Sequence, residues 1–270
     1  MDIKAIKSFL KKLFHDISEK DIYGHASIIS FTAIFSIFPL LFFLASVLGL
    51  VAGRYRLYDR LLKTVAQFIP ADAYSAITNN VQQILPSKSI LLVIIGLLIS
   101  LYSASNIINV TIKLLNKLNG INDNRSIIKK VLLSMGFLIV FAFIAILVIL
   151  FVIAGEVILK KYMPPFWGRS VLIAFIEIAL YFLPFVLAVG YFYKKALNIY
   201  ISFKNTLPGA IFFVLTFIIF SQIFRLAVVF MNVNKTYGAI GGIIIFLLWF
   251  QFIAFFFLVG TTINMNLLKR

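Results

Sequence analysis

Residues Ser89–Val110, SILLVIIGLLISLYSASNIINV, form an apolar run that contains no charged side chain and no regular alternation of polar and apolar residues. The run is long enough to cross a bilayer, because a helix needs roughly 20 apolar residues to span a hydrocarbon core of about 30 Å. Lipid offers no hydrogen-bond partners, so only α-helices and closed barrels satisfy the backbone there. Barrel strands alternate in polarity, and this run does not. It therefore predicts a transmembrane helix.

Five other runs share this character, and the six predicted spans are residues 25–53, 89–110, 131–159, 171–193, 207–231 and 237–268. Hydrophobic residues make up 62% of the 270 residues and charged residues only 13%, whereas soluble domains carry about a quarter charged residues. One soluble domain cannot bury so many apolar side chains. We predict an all-α, polytopic transmembrane helical bundle of about six spans, forming a single integral membrane domain over residues 1–270.

Residues 1–22 are predicted to form an amphipathic helix. Its lysines fall largely outside an apolar set that recurs at steps of three and four, namely Ile3, Ile6, Leu10, Leu13 and Ile17. A basic helix of this kind lies at the interface of an anionic leaflet. A solvated cap packed on cytoplasmic loops explains the pattern equally well. The interrupting lysines argue against a secretory signal peptide.

The connection over residues 54–88 has helical apolar spacing on both sides of Pro70. We expect two short amphipathic helices there, at the extracytoplasmic face. They would form a lid over a cavity or simply cover the bundle, and the cover is the default interpretation.

The distribution of lysine and arginine predicts the orientation in the membrane, since cytoplasmic connections carry more of both. With six spans, the segments on the side of the two termini hold 15 of these residues and the opposite segments hold 10. Both termini are therefore expected in the cytoplasm. Because the charges cluster between the apolar runs, the net charge of +16 does not indicate a nucleic-acid partner.

Charged residues within the spans are the first candidates for a substrate pathway, because charge is costly in hydrocarbon. Glu177 is the only acidic residue deep in a predicted span, and Arg225 lies at a similar estimated depth in the next one. Tyr181 shares a helical face with Glu177, and Gln222 shares one with Arg225. An ion pair is therefore geometrically feasible. It would either serve substrate or proton passage or fix the helix register, and the sequence does not decide between the two.

A second set of candidates forms a polar stripe on the second span, with members at steps of four and three: Tyr102, Asn106, Asn109, Lys113 and Asn116. One interpretation is a substrate path toward the cytoplasmic end of the helix. The other, slightly stronger, is a helix that extends past the membrane and ends at Asn119-Gly120 with ordinary capping.

Prolines and glycines inside the spans predict local packing features. Pro39 and Pro184 each interrupt a span near its middle and free a backbone carbonyl, which favours a kink. Both lie in the first helix of a three-span half, so inverted halves are an alternative, although the halves share no residue-level similarity. Gly238 and Gly242 form a small-xxx-small face, which is typical of close helix packing.

The sequence contains no recognisable catalytic or metal-binding motif. It has no cysteine and only two histidines, and neither belongs to a His-x-His or His-Glu-x-x-His group. It also lacks a P-loop, a Gly-x-Ser-x-Gly motif and a Gly-x-Gly-x-x-Gly motif ahead of a helix. We therefore predict no enzyme activity, no catalytic residue, no metal and no cofactor.

Two blocks of the sequence resemble the YihY/BrkB family of bacterial inner-membrane proteins. They are the Phe-Ser-x-Phe-Pro-Leu core at residues 35–40 and the closing span from Tyr237-Gly238-Ala239 to Asn264. Between them, further matching segments fall in the expected order: Ser103–Asn106, Asn116, Arg125 and Leu207–Ala210. Thr261-Thr262 departs from the family, in which a small residue followed by an acidic one is expected, so no role of an acid is carried over to that position.

The resemblance implies a multi-pass protein of the bacterial cytoplasmic membrane without nuclease machinery, although family members have long carried the label ribonuclease BN. Transport or flipping of a lipid or amphiphile is the implied function most compatible with the spans, with membrane lipids as partners. The alternative is a non-transporting membrane scaffold for envelope assembly. A homo-oligomer and envelope-protein partners stay open, as do the substrate, the energy coupling and the direction of transport.

Overall fold

The structure, a computed structural model, describes residues 3–36, 39, 90–141, 143, 169–231 and 233–268. Within these residues the chain forms seven helices and no strand. The helices are α1 Ile3–Glu19, α2 Ile22–Ser36, α3 Ile90–Leu118, α4 127–141, α5 Arg169–Ala196, α6 Phe203–Met231 and α7 Val233–Leu268. The predicted all-α class is confirmed.

Three of the described helices are long and apolar enough to cross a membrane: Ile90–Leu118, Phe203–Leu226 and Ile244–Leu268. They correspond to the second, fifth and sixth predicted spans. Many of their large apolar side chains are exposed, among them Leu98 and Ile219. Such exposure is expected where lipid rather than water solvates the outer surface of a helix bundle.

The total of six spans stays a prediction. Large parts of the predicted spans 25–53 and 131–159, and the whole predicted helical loop 54–88, lie outside the described residues. The amphipathic segment predicted over residues 1–22 contains helix α1, but its placement on a membrane surface also stays a prediction.

Helix α3 continues past the predicted span, which ends at Val110, to Leu118, where a glycine turn terminates it, in agreement with the predicted helix end at Asn119-Gly120. Gly120 has a φ of 66°, a left-handed conformation that glycine adopts at low cost. Its N–H donates to the carbonyl of Lys117 at 3.1 Å, and the N–H of Ile121 donates to that of Asn116 at 2.9 Å. These bonds satisfy carbonyls that a helix end leaves free.

Contacts divide the chain into two compact units. The first consists of Met1–Ile22, Thr111–Phe217 and Phe256–Arg270. Its core is strongly aromatic: the ring centroid of Phe192 lies 4.6 Å from that of Phe137 and 5.5 Å from that of Phe257. Tilted and edge-to-face ring pairs of this kind stabilise a core beyond the burial of their area. Helices α4, α5 and α7 are thus joined through aromatic side chains.

The second unit consists of Tyr23–Val110 and Ile218–Phe255. Polar contacts join its helices in the described part. The hydroxyl of Ser36 in α2 donates to the carbonyl of Ser103 in α3 at 2.9 Å. Nε2 of the buried Gln251 in α7 donates to the hydroxyl of Ser27 in α2, also at 2.9 Å. These bonds fix the rotation of α2 about its axis, which apolar packing alone specifies weakly.

Candidate functional site

The polar stripe of α3 changes character along the helix. Tyr102, Asn106 and Lys113 have exposed side chains, with 71% of Tyr102 exposed, and Asn109 is half-buried. Asn116, at the end of the same stripe, is only 1% exposed. A hydroxyl, an amide and an ammonium group on a helix of membrane-spanning length are unfavourable against hydrocarbon alone. The exposed part of the stripe is therefore our candidate functional surface.

The buried end of the stripe joins α3 to the end of α5. Nδ2 of Asn116 donates to the carbonyl of Ala196 at 2.9 Å and to that of Ile112 at 2.8 Å. Its Oδ1 accepts the N–H of Asn198 at 2.8 Å. Both amide hydrogens and one oxygen lone pair are thus used, as a buried amide requires. Asn116 therefore stabilises the backbone of the turn that follows α5.

Arg125 binds the same helix end from the connection between α3 and α4. Its guanidinium donates to the carbonyl of Ala196 at 2.7 Å and to that of Lys195 at 3.2 Å. The last carbonyls of a helix lack partners along the helix and carry partial negative charge, so a cation is favourable there. Arg125 also donates through Nε to Oδ1 of Asp123 at 2.7 Å. It acts as a charged cap on α5.

Asp123 is the acidic member of this cluster. Burial of its side chain tends to raise its pKa, but hydrogen bonds from the side chain and backbone of Arg125 act in the opposite direction. The positive charges of Arg125 and Lys130 add to them, so the pKa of Asp123 lies below its usual value. Nζ of Lys130 is 3.7 Å from Oδ2 of Asp123. The carboxylate balances two cations and is unsuited to carry a proton near neutral pH.

Asn264 of α7 binds the backbone of α6 as another peptide group would. Its Oδ1 accepts the N–H of Gly209 at 2.7 Å, and its Nδ2 donates to the carbonyl of Thr206 at 3.1 Å. The side chain of Asn264 is fully buried. Pro208 lies between the two bonded residues and has no N–H of its own, which weakens the hydrogen-bond ladder of α6 at this point. The amide of α7 therefore adds one acceptor and one donor to the backbone of α6 on either side of this proline.

Two glycines allow this contact because the backbones of α6 and α7 approach closely. A Cβ atom at Gly209 would lie 2.6 Å from Nδ2 of Asn264 and would also overlap the carbonyl oxygen of Gly260. A Cβ atom at Gly260 would lie 2.6 Å from the hydroxyl of Tyr193. The fully buried Tyr193 donates this hydroxyl to the carbonyl of Phe257 at 2.6 Å. Polar contacts thus join α5 to α7 and α6 to α7.

The predicted pair of intramembrane charges is only partly described. Arg225 and Gln222 lie on α6 with exposed side chains. Glu177 and Tyr181 lie on α5, but their side chains are outside the described set. The ion pair between Glu177 and Arg225 therefore stays a prediction.

The predicted kink and packing residues all fall on helical positions. Pro184 lies inside α5, which continues on both sides of it. Pro39 is a single described helical residue between segments outside the described range. Gly238 and Gly242 lie in α7, and the side chains around them are not described. Their roles in bending or packing stay predictions.

The described residues contain no candidate metal centre. Within them, no three His, Cys, Asp or Glu side chains come close enough together to hold a metal ion. His15 instead pairs with Glu19 on the surface of α1, with 3.2 Å between Nε2 and Oε2.

Several residues with specific polar contacts were not identified from the sequence: Asp16, Ser27, Asp123, Asn198 and Gln251. Two of them stand out in the sequence itself. Gln251 is a single amide inside a long apolar run, and Asp16 is an acid in a helix rich in lysine. A lone polar residue of that kind indicates a specific hydrogen-bond partner, because it is otherwise costly. Neither signal names the partner, which here is Ser27 for Gln251 and Asn266 for Asp16.

The chain is similar over nearly its whole length to known proteins. The sequence profile of a family described as virulence factor BrkB matches residues 13–270. The chain is 31% identical over 268 residues to the putative ribonuclease-like protein YfkH of Bacillus subtilis (strain 168), covering 97% of this chain and 96% of the relative. No solved structure matches the chain. The matched range contains the stripe on α3, Arg125, which caps α5, and Asn264, which binds the backbone of α6.

Proposed function

We propose that this chain, which belongs to the virulence factor BrkB (YihY) family of membrane proteins, moves a lipid or another amphiphile across the membrane. The observation that carries the proposal is the exposed polar surface of Tyr102, Asn106 and Lys113 on a helix long enough to span the bilayer. An amphiphile crosses slowly on its own because its polar headgroup must leave water. Side chains that replace water around the headgroup lower that barrier.

Helix α6 supports the same proposal. Gln222 and Arg225 are exposed on it, near the end of its long apolar segment Phe203–Leu226. An arginine in hydrocarbon costs about 2.5–3.5 kcal/mol on insertion scales, so its surroundings must include water, a headgroup or a polar partner. Amide and guanidinium groups both donate hydrogen bonds, which suits them to a polar headgroup.

Reconstitution into vesicles tests the proposal directly. The purified chain is placed in vesicles that contain a fluorescent lipid, and a membrane-impermeant reagent quenches the outer leaflet. If the protein moves lipid between leaflets, the fluorescence of the protected inner-leaflet lipid is lost in vesicles with protein but not in vesicles without it. Because the energy source is open, the assay is run with and without an ion gradient. Equal rates with and without protein under both conditions would contradict the proposal.

Paired substitutions assign the activity to the stripe. Asn106→Ala and Lys113→Gln are expected to slow translocation strongly, because each removes a polar group from the proposed path. Asn124→Ala and Lys129→Gln make the same chemical changes at exposed positions outside the stripe and serve as matched controls. If the controls slow translocation as much as the stripe variants do, the stripe is not the path.

We also propose the location of the protein in the bacterial cytoplasmic membrane, with six spans and both termini in the cytoplasm. The support is the excess of lysine and arginine on the side of the termini, 15 against 10. Reporter fusions at Lys20 and Arg270 should report the cytoplasm, and a fusion near Asp72 should report the outside. A C-terminus outside the cytoplasm would exclude this topology.

The pair of Glu177 and Arg225 is proposed as a second element of the pathway. If the pair is functional, Glu177→Gln keeps the shape of the side chain and the fold but abolishes transport, since the amide carries no charge. If it is only structural, exchanging the two charges restores folding and function together, while each single substitution expresses poorly. Wild-type transport by Glu177→Gln would remove the functional role.

A non-transporting scaffold for envelope assembly is the second candidate function. The exposed amide of Asn106 favours it in one respect, because amides on spanning helices also hydrogen-bond to neighbouring helices of a partner. The partner would be a second copy of the chain or an envelope protein. The chain has no cysteine, so Asn106→Cys gives a single crosslinking site. Efficient crosslinking to a protein, together with no lipid movement, would favour the scaffold.

The proposal includes no enzymatic step and no nucleic-acid partner. We expect rigorously purified protein to show no metal-dependent cleavage of RNA, because the sequence lacks a recognisable set of metal ligands. Cleavage that a point substitution in this chain abolishes would contradict this expectation.

A further inference from the structure

One face of helix α1 packs against the rest of the protein. Leu13 and Asp16 are both only 8% exposed. Oδ2 of Asp16 accepts a hydrogen bond from Nδ2 of the buried Asn266 at 2.6 Å, which ties α1 to the last turns of α7 within the first unit. Lys20 adds an ion pair to Asp16, with 3.6 Å between Nζ and Oδ1. Helix α1 is therefore docked in a fixed orientation.

The other face of α1 mixes cations with large apolar side chains. Lys7, Leu10, Lys11 and Phe14 follow the spacing i, i+3, i+4 and i+7, which places them on one side of a helix. All four are exposed, Leu10 to 44% and Phe14 to 70%. On the helical wheel this face lies nearly opposite Leu13 and Asp16. Docking on α7 thus leaves it uncovered in the described structure.

We propose that this face, Lys7, Leu10, Lys11 and Phe14, is a binding surface for an anionic lipid leaflet. Apolar side chains that alternate with lysines suit the boundary between headgroups and acyl chains, since the rings and methyl groups insert while the ammonium groups reach phosphates. The four residues include no acid, so the face complements a negatively charged surface. The docked face fixes the helix in advance, and little ordering entropy opposes binding.

The N-terminal segment can pack on the protein and contact lipid at the same time. A helix packed on the protein and a helix lying on lipid are compatible when they use different faces. Asp16 and Asn266 provide the attachment, and Lys7 to Phe14 provide the lipid contact. Lipid composition would then act on the last turns of α7 through a direct hydrogen bond. This surface is separate from the polar stripe of α3 and does not depend on the transport proposal.

A depth measurement on the full chain in lipid nanodiscs tests the proposal. Leu10→Cys introduces a single cysteine for a nitroxide label, because the natural chain has none. Accessibility to oxygen reports insertion into lipid, and accessibility to a water-soluble nickel chelate reports exposure to water. We expect the label to be inserted in discs of phosphatidylcholine with phosphatidylglycerol, and largely water-exposed in discs of phosphatidylcholine alone. A label at Glu19→Cys, which lies away from the face, should stay in water in both.

Charge removal then separates this surface from a general effect of basic residues. In the labelled chain, the double substitution Lys7→Gln and Lys11→Gln should lower the ratio of lipid-inserted to water-exposed label about fivefold per lysine. The matched control, Lys129→Gln with Lys204→Gln, removes two exposed lysines elsewhere and should leave the ratio unchanged.

Three outcomes would overturn the proposal. The label could stay water-exposed in the anionic discs, or insert equally in both disc types, or respond equally to both double substitutions. A label that is buried in native membranes but exposed in every disc would assign the face to a protein partner instead of lipid.

Discussion

Two regions of helix α3 carry the same residue type on the same stripe and differ in surroundings. Asn116 is 1% exposed and binds Ala196, Asn198 and its own helix, whereas Asn106 is exposed. An asparagine with three partners works as a structural joint, because its amide hydrogen-bonds to backbone groups of α3 and of the segment that ends α5. An asparagine on the surface of a spanning helix is available to a ligand. The difference shows that spacing predicts the shared face but not what covers it.

If buried amides act as joints between helices, the largest loss of stability is expected at Asn264, the fully buried amide that joins α7 to α6. Asn264→Leu leaves the N–H of Gly209 and the carbonyl of Thr206 without their partner from α7. Each unpaired buried group costs about 1–3 kcal/mol, so the free energy of unfolding should fall by about 4 kcal/mol. The fraction of protein that stays monodisperse in detergent after heating measures the effect. Asn124→Leu, on an exposed loop position, is the control, and equal melting of both variants would contradict the joint.

At Asn116 we expect a smaller loss, because one of its partners keeps another donor. After Asn116→Leu the carbonyl of Ala196 still accepts from Arg125, and only the N–H of Asn198 loses its acceptor. The free energy of unfolding should fall by about 2 kcal/mol. The same heating assay checks it, with Asn106→Leu as the matched change on the same stripe. A larger loss at Asn106 than at Asn116 would reverse the comparison between the two regions.

The charged cap at Arg125 should contribute about 1 kcal/mol, since its side chain is partly reached by solvent. Arg125→Gln keeps hydrogen-bond donors but removes the charge that faces the carbonyls of Lys195 and Ala196. We expect a small decrease in melting temperature that grows at low ionic strength. Lys129→Gln is the control for charge loss alone. A decrease that is independent of salt would argue against the electrostatic part of the cap.

Acid should weaken the same cluster. The pKa of Asp123 is lowered in the folded state, so its contribution to stability is present above its ordinary value of 3.8 and is lost as the pH falls through the lowered pKa. Asp123→Asn should therefore reduce the difference in melting temperature between pH 6 and pH 3. An unchanged pH dependence in this variant would show that Asp123 does not contribute.

The smallest effect on stability is expected at the exposed region. Asn106→Ala should change the free energy of unfolding by no more than about 0.5 kcal/mol, as is usual for surface positions. Its lipid translocation should nevertheless fall well below that of the wild type. Melting and translocation measured on one preparation separate the two effects. A variant that loses stability and translocation in parallel would make Asn106 part of the fold.

Much of the fold followed from the sequence because apolar run length is a strong signal. The helical class and the three long spanning helices depend on length and hydrophobicity alone, which are local properties. The end of α3 was also indicated, because a glycine commonly follows the last turn of a helix and Gly120 adopts the left-handed conformation here. The partners of Asn116 and Asn264 were not predictable. Their partners on other segments lie more than fifty positions away along the chain, and spacing within one helix carries no information about the neighbour it meets.

The hydrogen bond from the N–H of Gly209 to the side chain of Asn264 makes the exchange of this proton sensitive to relative motion of α6 and α7. The N–H of Gly209 points to a side chain of α7, whereas ordinary helical amides point along their own helix. Its exchange with deuterium therefore requires α6 to separate from α7, and local fraying of α6 alone does not release it. Exchange at this residue, compared with its neighbours, measures how often the two helices part in the native membrane protein.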